Sequence, residues 1–130
     1  METSENKMVI QISGEEDTPQ ILIDTQKNYI KIKGASFPED AFETYLPILE
    51  WIKSVDKSIL KELIIDLDFS ILSSASNKMV YEILLKLESF YHAGIPVKMN
   101  WFCERFDEDL FEEGKNYRES IVFPVNIVFK

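Results

Sequence analysis

Glycine, cysteine and histidine are scarce in this chain, which has four glycines, one cysteine (Cys103) and one histidine (His92) among 130 residues. No GxGxxG, GxxxxGK[ST] or GxSxG pattern is present, so neither a glycine-rich phosphate cradle nor a hydrolase nucleophile elbow is indicated. One histidine and one cysteine would supply at most half of the nitrogen and sulfur ligands of a tetrahedral zinc site. Each is more simply read as a residue at the end of a helix or strand than as half of a nucleophilic pair. A single thiol cannot form an internal disulfide, which fits a reducing cytoplasm. No apolar run approaches the roughly 20 residues that cross a bilayer. The opening METSENK lacks the apolar centre of a secretory signal, so none is expected. Basic residues are in deficit, 14 against 23 acidic ones, for a net charge of −9. Phosphate backbones and anionic membrane surfaces would be repelled at long range, so neither nucleic acid nor membrane is an expected partner.

Hydrophobic residues are plentiful at 45%, with 12% aromatic, and the length suits one core. Residues 1–17 are expected to form a tail or arm, in which MVIQI (8–12) reads either as a short strand or as an ordered arm, and residues 18–130 a single domain. Alternation at period 2 in QILID (20–24) and NYIKIKG (28–34) predicts a β-hairpin, with Ile21 and Ile23 facing Ile30 and Ile32. Ser36 and Pro38 read as the cap and first turn of a helix running to about Ser54. Pro47 lies inside that helix and should bend it. KELIIDLDF (61–69) reads as a central strand. Met79, Val80, Ile83, Leu84, Leu87, Phe90 and Tyr91 then mark a second amphipathic helix that closes at Ala93 and Gly94. VKMNWF (97–102) and SIVFPVNIVF (120–129) return to strand character. Between them the acidic 104–117 segment places Phe106, Leu110 and Phe111 at helical spacing. The order implies right-handed β-α-β crossovers and an α/β fold: a mixed sheet of four to five strands, two main helices and a short acidic helix.

The carboxylates Glu104, Asp107, Glu108, Asp109, Glu112 and Glu113 have the chemistry to bind a hard cation, and a small metal-dependent hydrolase is the enzymatic alternative they raise. They lack the alternation and glycine of an EF-hand loop, so a solvated helix face is the simpler reading. Asp66 and Asp68 share one side of a strand, as the polar face of a sheet would require. SILSSASNK (70–78) puts four serines where a strand feeds a helix. A hydroxyl there caps the helix, which is worth about 1 kcal/mol. A phosphorylated hydroxyl would carry nearly two charges to the same backbone N–H groups.

Three stretches, TPQILID (18–24), GASFPEDAFETYLPILEWI (34–52) and LDFSILSSASNK (67–78), together resemble the SiaC family of bacterial regulatory phosphoproteins, whose fold is similar to STAS-like anti-anti-sigma-factor domains. TPQILID (18–24) resembles the family's Thr-Pro followed by an apolar strand. GASFPEDAFETYLPILEWI (34–52) is similar to its Gly-x-Ser-Tyr-Pro-Glu-Asn-Ala segment with a later Pro and Trp, and is the most specific match. LDFSILSSASNK (67–78), running on to GIPVKMNWF and the acidic EEG, resembles a Leu-Glu-Tyr-Phe-Asn-Thr-Ser-Ser-x-Lys strand-to-helix segment whose threonine accepts phosphate. Anchored on Lys78, the resemblance puts Ser74 at the acceptor and Ser73 at the asparagine; a register shift of one would nominate Ser73 instead. Serine replaces the threonine, the asparagine is lost, and Ile71 stands where the family has an aromatic. The resemblance implies a non-enzymatic partner switch without a cofactor. An anti-sigma-type serine/threonine kinase would phosphorylate it and a PP2C-like phosphatase would reverse this, with a diguanylate cyclase as effector in the best-known branch. Ser73, Ser76, Asn77, Lys78 and Tyr81 are then the expected docking face. A structural or oligomerising domain without a phosphoswitch is the bland alternative.

Overall fold

The computed structural model describes residues 9–130; METSENK and Met8 lie outside the described residues. Six strands form one sheet in the order β1-β2-β3-β4-β5-β6, one more than the four to five expected. The additional strand is β1 (Val9–Ile12), which pairs antiparallel with β2 (Gln20–Asp24) along the edge. Its four residues are too short a run for alternation to identify a strand. The expected hairpin is present: β2 pairs antiparallel with β3 (Tyr29–Ser36), with Ile21 opposite Ile32 and Ile23 opposite Ile30. Asn28 takes the positive φ of 55° that closes this turn.

From β3 onward every pairing is parallel, through β4 (Leu63–Leu72), β5 (Val97–Cys103) and β6 (Val125–Phe129). The connections are α1 (Ala41–Ser54), α2 (Ser74–His92) and α3 (Glu108–Ser120). Each crossover joins adjacent strands in the same direction, so right-handedness stacks all three helices on one face of the sheet. Ile30, Ile32, Leu63, Ile65, Leu67, Val97, Met99 and Trp101 point into that layer and are all nearly inaccessible. Ile48, Trp51, Ile83, Leu84, Leu87 and Phe90 meet them from the helices.

Three boundaries differ from the sequence reading. The first helix starts at Ala41 with Asp40 as its cap, the Asp40 carboxylate accepting from the Glu43 amide at 3.0 Å. Ser36 is not that cap, because its backbone belongs to the β3–β4 ladder opposite Leu72. The helix continues through Pro47 as one element to Ser54. The acidic helix begins only at Glu108, capped by Asp107, so Phe106 lies outside it and is 83% exposed. The last strand shortens to Val125–Phe129 because α3 extends through Ser120.

The candidate phosphoacceptor junction

β4 is the fourth of six strands and carries the chain out of the sheet at its C-terminal edge. The β3–β4 register shifts between Gly34 and Ala35, where Ser70 goes unpaired, and Ile71 emerges half-exposed beyond the shift. The chain then turns into α2. Ser73 is the N-cap: its Oγ accepts from the Ser76 amide at 3.1 Å, its carbonyl accepts from the Asn77 amide at 2.8 Å, and its own amide donates to the Ser36 carbonyl at 2.9 Å. That hydroxyl is occupied in holding the helix end. Ser74 is the first helical residue and is exposed. Its amide and that of Ala75 belong to the first turn, which has no intrahelical acceptors to offer them.

Ser76, expected on the docking face, is instead fully buried, so it has no surface to offer a partner. It ends a chain of buried hydroxyls in which Ser36 Oγ donates to Ser76 Oγ at 2.8 Å, leaving Tyr45 to donate to Ser36 at 2.6 Å. Burial pushes the Tyr45 phenol up to about 12, against the opposing pull of the two serine hydroxyls. The chain fastens α1 and β3 to the first turn of α2.

On the other flank, Asn77 Nδ2 donates to Glu113 Oε2 at 2.6 Å, and Tyr117 Oη donates to the Asn77 side-chain oxygen. Burial, then the nearby Glu113 carboxylate, hold the Tyr117 phenol far above its ordinary range, so it remains a donor. Tyr117 also packs against Trp101 and Tyr81, with ring centroids 5.2 and 6.1 Å apart. Asn77 is therefore half-buried and committed to α3, whereas Lys78 is exposed and Tyr81 is 39% exposed. In the sequence Ser36 reads as a helix cap and Glu113 as part of a solvated acidic face, and nothing in the pattern assigns Tyr45 or Tyr117 to this junction. Asn77 meets its two partners across 36 and 40 residues, a separation that no local pattern reports.

Enzymatic readings find little geometry. Cys103 ends β5 on the buried side and burial raises its thiol pKa, while His92 ends α2 at the opposite edge of the sheet, so the two do not meet. Among the described residues no three His, Cys, Asp or Glu side chains converge to hold a metal ion. The acidic segment has other uses: Asp107 caps α3, Glu113 takes Asn77, and Glu112 lies 3.2 Å from Lys115. Asp66 accepts from Tyr29 at 2.7 Å and Asn100 at 2.9 Å, and Asp68 pairs with Lys130 at 2.8 Å. These two aspartates stitch the open face of the sheet.

Residues 12–130 match the SiaC family of regulatory phosphoproteins. The chain belongs to the SiaC family. Its similarity to other members extends over almost the whole length. An uncharacterized protein of Pseudomonas aeruginosa is 30% identical over 118 residues, which are 91% of this chain and 94% of that protein. Apo-SiaC from Pseudomonas aeruginosa superposes with a TM-score of 0.82 at 28% identity, covering 92% of this chain and 98% of that one. SiaC bound to the diguanylate cyclase SiaD, which it activates, superposes at 0.84 with 28% identity, covering 93% and 99%. The fold of this chain is thus that of the two SiaC structures.

Proposed function

We propose that this chain is a cytoplasmic, non-enzymatic partner switch controlled by reversible phosphorylation of Ser74. An anti-sigma-type serine/threonine kinase adds the phosphate, a PP2C-like phosphatase removes it, and the unmodified protein binds and activates a diguanylate cyclase. The observation that carries the reading is the division of labour among neighbouring hydroxyls. Ser73 is spent on the cap and Ser76 is buried, whereas Ser74 stands exposed at the first position of α2. The effector is suggested by the SiaD complex of the Pseudomonas aeruginosa relative.

The switch is electrostatic. A phosphate at Ser74 brings nearly two negative charges and three acceptors to a helix end whose first turn holds no carboxylate. There it is held by the free amides of the first turn and excludes a partner that must desolvate that surface. Incubation with the cognate kinase and ATP is expected to add about 80 Da, mapped to Ser74 by fragmentation, with no addition in Ser74→Ala. An unchanged mass, or phosphate on another residue, contradicts the assignment.

A further inference from the structure

The N-terminal edge of the parallel strands, opposite Ser74, carries a pocket of about 220 Å³. Leu63 and Val97, the buried first residues of β4 and β5, line it together with Pro96, Pro124 and the Tyr91 ring, and Glu62 and Lys98 stand exposed beside them. Small-molecule sites begin at about 300 Å³, whereas a cavity of about 150 Å³ already holds a benzene ring, so this space suits one aromatic side chain. The chain itself presents such a ring. Phe106, in the turn between β5 and α3, is 83% exposed, the most exposed large hydrophobic side chain among the described residues. The Asp107 amide closes that turn on the Glu104 carbonyl at 3.1 Å, and Arg105 lies over the Phe129 ring at 4.8 Å, so Phe106 stands on a braced corner. The seven residues of β5, about 23 Å of strand, separate ring from pocket, so a copy cannot fill its own.

The charges of the two ends are complementary. The last turns of the helices and the segments that lead into and begin β4, β5 and β6 carry Lys53, Lys57, Lys61, Lys98 and Arg118 against Asp56, Glu62, Glu88 and Glu119. Two of these acids are engaged, Asp56 by Ser58 and Glu88 by the Val122 amide. The Phe106 turn and the start of α3 carry Glu104, Asp107, Glu108 and Asp109 against Arg105. The pocket edge is therefore slightly basic on a chain of net charge −9, and the ring sits in an acidic setting.

We propose that this chain self-associates head to tail, the Phe106 ring of one copy entering the Tyr91–Pro124 pocket of the next. The carboxylates around the ring settle against Lys61 and Lys98, and Arg105 against Glu62. The contact is heterologous: each copy offers one ring and one pocket, so association continues past a dimer. One ring with its neighbours buries less than the roughly 1,200 Å² of a standard interface, and a dissociation constant of about 0.1–1 mM is expected. Ser74 takes no part, so the contact is independent of the phosphoswitch.

Sedimentation equilibrium of the full-length chain, from about 0.05 to 1 mM in about 0.15 M salt, tests this. The weight-average mass of the wild type is expected to rise with concentration beyond twice that of the monomer. Phe106→Ser, which removes the ring, and Tyr91→Glu, which removes a pocket wall and repels the acidic turn, should each remain monomeric alone. Mixed in equal amounts, the first supplies a pocket and the second a ring, so the mixture should approach the dimer mass and stop there. That recovery also requires both variants to be folded. A wild type that stays monomeric at about 1 mM, association that persists in either variant alone, or a mixture without recovery overturns the proposal.

Discussion

Tyr45 shows how single atoms set the site. Its hydroxyl begins the buried chain through Ser36 to Ser76, so Tyr45→Phe leaves Ser36 without its donor. Chemical denaturation is expected to show a loss of about 1–2 kcal/mol. The same phenol predicts an alkaline limit. Its folded pKa of about 12 lies above the ordinary value of 10.0, so the native state keeps a proton that the unfolded chain releases. Its stabilising effect is complete below pH about 10 and is lost as pH rises towards 12, at up to about 1.4 kcal/mol per pH unit. Stability curves at stepped pH should therefore fall less steeply in Tyr45→Phe than in wild type; parallel slopes would refute this. Gly114 answers to packing: an added Cβ would lie 2.5 Å from Trp101 Cδ1. Gly114→Ala should cost about 1–3 kcal/mol and lower Tm in calorimetry. The residue pattern alone offers four serines and a helix cap, and it is the family resemblance anchored on Lys78 that singles out Ser74. The same pattern misassigned Ser36, because Ser-x-Pro imitates a cap when the strand that claims it lies 36 residues away in β4.

Elements whose pattern repeats several times were the legible ones. α2 shows its apolar stripe over 19 residues, and β4 alternates cleanly from Leu63 to Phe69. β1 and the start of α3 were less so. A four-residue strand offers too few repeats, and the spacing of Phe106 to Leu110 looks helical although Asp107 ends the loop by capping. The clip between α2 and α3 is tertiary and had no local signal. Asn77→Ala removes the side-chain partner of both Glu113 and Tyr117 and leaves Tyr117 only its longer 3.3 Å bond to the residue-77 carbonyl, a loss of about 1–3 kcal/mol. Amide hydrogen exchange should then quicken across α3, with β3 and β4 unchanged. Equal protection of α3 in the variant would show that the clip does not hold the helix.

For the whole molecule, topology places the switch. Parallel strands β3 to β6 send every crossover over one face, so α2 emerges between two neighbours with its first residue at the C-terminal edge of a central strand. The fold class followed from the order of elements, whereas which hydroxyls face outward depended on the β3–β4 ladder and the buried Ser36–Ser76 bond. The net charge of −9 disfavours generic anion binding, yet the first turn of α2 holds no carboxylate, so one phosphate there is a large local change. The most direct measurement is a calorimetric titration of the SiaD-type diguanylate cyclase with unmodified protein and with protein phosphorylated solely at Ser74. The account predicts saturable binding by the unmodified chain and a loss of about a hundredfold or more on phosphorylation, the size that a few kcal/mol of coupling produces. Equal affinity of the two forms would contradict it.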